Sequence, residues 1–125
     1  MRRFTSICII TPDVRRLCDF YRNVLEAEPE GDDTFTAFTS LGTVLSVYSE
    51  AGMEELAPGS LRNSGRGAVV MEFEVQDVDR EYERLLGLGV SIVKPPKTHP
   101  WGRRSVWFRD PDGNIVNFNA PVPSA

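Results

Sequence analysis

Apolar positions switch between two spacings along the chain, and the switches mark the elements. Phe4 to Ile10 is an apolar, β-branched run stopped by Pro12-Asp13, which predicts a strand followed by a helix start. With Asp13 as N-cap or first-turn acid, Val14, Leu17, Cys18, Tyr21, Val24 and Leu25 recur at helical spacing. They predict a helix to about Glu26, closed by Pro29 and Gly31. Phe35 to Ser40 and Thr43 to Ser49 flank Leu41-Gly42 as two hairpin strands. From about Ser49 to Gly67 the composition turns to Gly, Ser and Pro, a loop with one helical turn at Met53 to Leu56.

The first pattern then returns. Ala68 to Gln76 reads as a strand, and Asp77-Val78 opens a second helix with Val78, Tyr82, Leu85 and Leu86 as its stripe. Gly87 and Gly89 end it. Val90 to Lys94 predicts a short strand stopped by Pro95-Pro96, and Arg104 to Asp110 with Asn114 to Asn119 predict a hairpin. The two Asp-Val helix starts lie 64 residues apart, about half the chain, so strand, helix and further strands repeat.

The turn Asp110-Pro111-Asp112-Gly113 suits type I geometry followed by a left-handed Gly, which pairs Asp110 with Asn114. Counting outward sets Arg109 opposite Ile115, Trp107 opposite Asn117 and Ser105 opposite Asn119. The other face is purely apolar: Val106, Phe108, Val116 and Phe118. The face with Trp107, Asn117 and Asn119 suits either a pocket or a solvated sheet surface. Around Leu41-Gly42 the same count pairs Phe35 with Tyr48 and Ala37 with Ser46. On the strand before the second helix, Glu72 and Glu74 stand either at a water-facing mouth or at a ligand site.

Composition narrows the classes. The chain has 125 residues, one domain's worth, with 41% hydrophobic and 26% charged residues, which is globular rather than disordered. A net charge of −4 argues against an electrostatic nucleic-acid binder, which would need a basic face. Cys8 and Cys18 make no disulfide framework. There is neither a signal-peptide pattern nor an apolar run of about 20 residues, so the expectation is a soluble, cytoplasmic protein with no membrane partner.

The repeat and the run Trp101-Gly102-Arg103-Arg104-Ser105-Val106-Trp107-Phe108-Arg109-Asp110-Pro111-Asp112-Gly113-Asn114 resemble the vicinal oxygen chelate superfamily. That group holds glyoxalase, extradiol dioxygenases and bleomycin-resistance proteins. Asp13 to Tyr21 and Phe73 to Val78 look like the openings of its two helices. The resemblance spans nearly the whole chain and implies an α+β fold of two βαβββ modules, with curved mixed sheets around a cleft and helices outside. Module one would cover about 1–49, a linker about 50–67 and module two about 68–120, with a short tail. A homodimer is the assembly implied.

Alignment on the helix starts and the Asp-Pro-Asp-Gly turn places the family's metal ligands on Ser6, Ser46, Val70 and Asn117. None is a His or a carboxylate, so neither a metal nor another cofactor is expected. The leading reading is a metal-free binding protein that sequesters an aromatic or cationic compound, as resistance proteins of this kind do. Phe35, Ser46, Tyr48, Glu72, Trp101, Trp107 and Asn117 are the candidate ligand-binding residues, with aromatic faces for stacking and the glutamates for an amine. Trp101 has a second reading as an anchor for the loop after Pro100. The alternative is a glyoxalase- or dioxygenase-like enzyme, a lyase or an isomerase, on the same fold. Its candidate bases are Glu72, Glu74 and His99, the last read first as a surface-loop residue. No nucleophile–base constellation is legible.

Overall fold

The computed structural model describes residues 1–65 and 68–123. It divides into two compact units, Met1–Ser64 and Gly65–Ala125. Each holds one four-stranded mixed sheet with a long helix packed against it.

In the first unit, β1 (Ser6–Thr11) leads to α1 (Val14–Leu25), then β2 (Glu30–Gly31), β3 (Phe35–Phe38), β4 (Val44–Ser49) and α2 (Glu50–Leu56). The sheet order is β1-β4-β3-β2, with β1 and β4 parallel and the other pairs antiparallel. Asp13 caps α1 by accepting the Arg16 amide at 3.1 Å, as the Asp-Val start predicts. The stripe Val14, Leu17, Cys18, Tyr21 and Val24 is buried, along with Phe38, Leu45 and Val47 on the sheet. Tyr21 meets Phe38 edge-on at 6.5 Å.

Two expectations change here. Glu30 and Gly31 form the short strand β2 rather than a mere helix stop, because α1 has already ended at Glu26 in left-handed geometry. The single turn expected at Met53 is the longer α2, whose N-cap Ser49 accepts the Gly52 amide at 2.9 Å. Gly52 is required there: a Cβ would stand 2.8 Å from the Tyr48 ring.

The second unit repeats the plan with β5 (Val70–Glu74), α3 (Val78–Gly87), β6 (Ser91–Thr98), β7 (Arg103–Arg109) and β8 (Ile115–Pro121). The sheet order is β5-β8-β7-β6, β5 and β8 being parallel. Asp77 caps α3 by accepting the Arg80 amide at 3.1 Å. The β7–β8 register is the one counted from the turn, with Trp107 opposite Asn117 and Ser105 opposite Asn119. Phe108 and Phe118 meet edge-on at 4.9 Å under α3. Arg104 holds Asp79, in the first turn of α3, through two hydrogen bonds of 2.9 and 2.8 Å, which keeps that carboxyl below its ordinary pKa.

β6 corrects a third expectation, since it runs through Pro95-Pro96 instead of stopping at Lys94. As the outer strand of its sheet it has one unpaired side, where missing N–H groups cost nothing. The ladder also shifts between Lys94 and Lys97, a bulge that falls on the prolines.

Candidate functional site

The open face of the second sheet bounds a cavity of about 360 Å³, within the range of small-molecule sites. Its wall is built by strand alternation. Glu72 comes from β5, Lys94 from β6, Trp107 and Ser105 from β7, and Asn117 and Asn119 from β8. The apolar partners of these residues, Val106, Phe108, Val116 and Phe118, point the other way and are buried beneath them.

Five of the expected site residues meet in this one cavity: Glu72, His99, Trp101, Trp107 and Asn117. Asn117 is 6% exposed and donates through Nδ2 to Glu72 Oε2 at 3.0 Å. Among the described residues its Oδ1 is buried without a partner, and so is the Trp107 indole Nε1. The Lys94 ammonium lies 4.7 Å from the centroid of the Trp107 ring. Phe35, Ser46 and Tyr48 belong to the first unit. There Phe35 packs edge-on against Tyr48 at 6.1 Å, and Ser46 is buried between Cys8 and Ala37 in the ladder. The first unit's own groove, between α1 and the segment around Asp32, is lined by charges that largely answer one another, as Arg15 does Asp33 at 3.1 Å.

His99 is not a surface-loop residue. The extension of β6 through the prolines carries it to the cavity wall, where it is 8% exposed. Its Nε2 lies 3.2 Å from Ser105 Oγ, itself 4% exposed. Trp101 covers the imidazole face to face at 4.4 Å while leaving 71% of its own surface in solvent. Burial, then the Lys94 and Lys97 charges, push the imidazole pKa below its ordinary value, so the ring is neutral at neutral pH. This serine–histidine contact was not legible in the sequence. Six residues and a wide turn separate the partners, and the strand assignment that ended at Lys94 hid the approach.

Glu74 is engaged as well. Arg103 donates to Glu74 Oε1 at 2.8 Å and to Asn119 Oδ1 at 2.7 Å. The wall thus sets Lys94 and Arg103 against one carboxylate, Glu72, with Glu74 outside it and paired to Arg103, which removes the charge argument for a cationic ligand. Lys94, Arg103 and Ser105 are wall residues that the sequence did not single out. Ser105 was legible from the hairpin count, whereas Lys94 ended a strand whose register no turn fixed.

The positions that the resemblance marks for metal ligands form no donor set. Val70 offers only hydrocarbon, Asn117 spends its amide nitrogen on Glu72, and Ser6 and Ser46 offer hydroxyls. Among the described residues no three His, Cys, Asp or Glu side chains gather as a metal site. These residues do not fit a divalent metal.

Comparison with known proteins agrees with the fold. Residues 3–118 match the family model described as Glyoxalase/Bleomycin resistance protein/Dioxygenase superfamily. The uncharacterized protein YraH of Bacillus subtilis (strain 168) is 26% identical over 123 residues, covering 93% of this chain and 96% of its own. The crystal structure of a glyoxalase/bleomycin resistance protein/dioxygenase from Nocardioides superposes with a TM-score of 0.80 at 26% identity, over 100% of this chain and 87% of that one. A family enzyme from Burkholderia phytofirmans PsJN, at 15% identity, reaches 0.86 over 97% and 100% and shows the shared fold.

Proposed function

This chain belongs to the Glyoxalase/Bleomycin resistance protein/Dioxygenase superfamily, and we propose that within it the chain is a small-molecule-binding protein that sequesters a planar aromatic compound without a metal or other cofactor. One observation carries the reading. A buried indole N–H and a buried amide oxygen, on Trp107 and Asn117, stand without a partner among the described residues in the wall of a ligand-sized cavity. Buried polar groups are nearly always satisfied, and a bound molecule with matching edges would satisfy these two. Trp107 adds a face for stacking, and exposed Trp101 adds a second. In this reading the two units are modules of one domain, a second copy of the chain is its partner, and its place is the cytoplasm. Among the described residues no helix is long and apolar enough to cross a membrane.

Native mass spectrometry of protein purified without chelator tests the reading. The expected spectrum holds two chains, no metal, and an organic adduct that Trp107→Ala abolishes. One divalent metal per chain would overturn it.

The His99–Ser105 contact favours a second reading, acid–base chemistry in the same cavity by a neutral imidazole. It predicts a pH-dependent turnover that His99→Gln removes, whereas a binding protein turns nothing over.

A further inference from the structure

Strand pairing sets Lys94 opposite Trp107, Trp107 opposite Asn117, and Asn117 opposite Glu72, so one row of side chains crosses all four strands of the second sheet. The row is polarised. Its β6–β7 end only donates, through an ammonium and an indole N–H, and its β8–β5 end presents an amide oxygen and a carboxylate. The adjacent row, Lys97, Ser105, Asn119 and Glu74, largely closes on itself: Arg103 bridges Asn119 to Glu74, and His99 takes Ser105. The first row is not closed. The bond from Asn117 Nδ2 to Glu72 fixes Oδ1 as the free acceptor, because the flipped amide would set oxygen against carboxylate. Lys94 lies over the Trp107 ring and has no ion-pair partner among the described residues.

We propose that the occupant of this cavity is a planar aromatic compound with an anionic oxygen group at one end and an N–H donor at the other. The anionic group meets Lys94 and Trp107 Nε1, and the donor meets Asn117 Oδ1 and Glu72. The proposal rests on the binding reading above and adds the polarity of the ligand. A plain aromatic hydrocarbon leaves both buried orphans unpaired. A simple amine has nothing to offer Lys94, and a simple acid brings its charge to the row without an N–H for Asn117. Neighbouring strands lie about 4.8 Å apart, so the acceptor and donor must be separated by roughly the span of one substituted ring.

Calorimetric titration of the full chain with 4-aminobenzoate, benzoate and aniline tests this. The expected result is that 4-aminobenzoate binds about tenfold or more tightly than either single-ended ring, the size of one charge-assisted hydrogen bond. Lys94 is half-buried on an outer strand, so Lys94→Met leaves the core intact, which an unchanged thermal melt verifies. That variant should lower 4-aminobenzoate to the affinity of aniline and leave aniline unchanged. Glu72→Gln, at the other end, should weaken 4-aminobenzoate and spare benzoate. Equal affinities for the three compounds, or tightest binding of a single-ended one, overturn the polarity while the binding reading stands. No binding by any of them, with tryptophan emission unmoved, overturns both.

Discussion

The two units run through the same strand order, but α2 has no counterpart in the second unit, β6 is far longer than β2, and the sheets differ in chemistry on one face. Facing the helices, Phe38, Leu45 and Val47 in the first unit correspond to Phe108, Val116 and Phe118 in the second, and all six are buried. On the open side, the row that reads Cys8, Ser46, Ala37, Glu30 in the first unit reads Glu72, Asn117, Trp107, Lys94 in the second. The repeat therefore preserves what the helices pack upon and lets the free face diverge. Packing constrains one side to apolar residues of fixed volume, and the other side is left to carry chemistry.

The matched side is tested by the largest effect. Phe38→Ala and Phe108→Ala should each cost about 3–5 kcal/mol of stability, the usual range for emptying a buried phenylalanine site. Urea denaturation reads both, and a clear inequality would show that the two packed faces are not equivalent. On the divergent side, Trp107→Ala installs what the first unit carries at Ala37. Affinity for 4-aminobenzoate should fall by more than about 1 kcal/mol with the melting curve retained. Unchanged affinity would remove Trp107 from the site. Asn117→Ser copies Ser46 in the same way and should weaken binding several-fold, again by calorimetry. The smallest effect is the pH dependence that His99 contributes. Its pKa is lowered on folding from 6.5, so below that value the unfolded chain takes up a proton that the folded chain resists. Stability should decline as pH falls from about 6.5 toward the folded pKa, and His99→Gln should remove that slope. A slope that survives the substitution would assign it to another group.

Legibility in the sequence followed locality. The β7–β8 register could be counted because Asp110-Pro111-Asp112-Gly113 dictates its own turn: Asp110 Oδ1 accepts the amides of Asp112 and Asn114 at 2.9 and 3.0 Å, and Gly113 has a φ of 89°. Both long helices announced themselves through an aspartate cap and one apolar stripe. β2 was invisible because two residues carry no alternation. β6 was cut short because a proline ends a strand only where its N–H would be needed, and the position of a strand in its sheet is not a local property. That truncation hid His99 as a neighbour of Ser105, and Lys94, at the end of the expected strand, had no counted register to set it opposite Trp107. The site was therefore half legible: the hairpin supplied Trp107 and Asn117, the strand before the second helix supplied Glu72, and β6 withheld the places of Lys94 and His99.

The same prolines decide what the second sheet can join. An outer strand with a full set of outward N–H and C=O groups is a template on which another chain can extend the sheet, and runaway templating of that kind underlies fibril growth. Pro95 and Pro96 strip donors from the middle of β6 and bend it with a bulge, so this margin offers no continuous ladder to a stranger. The strand that brings His99 to the cavity also protects the molecule from self-assembly along that edge.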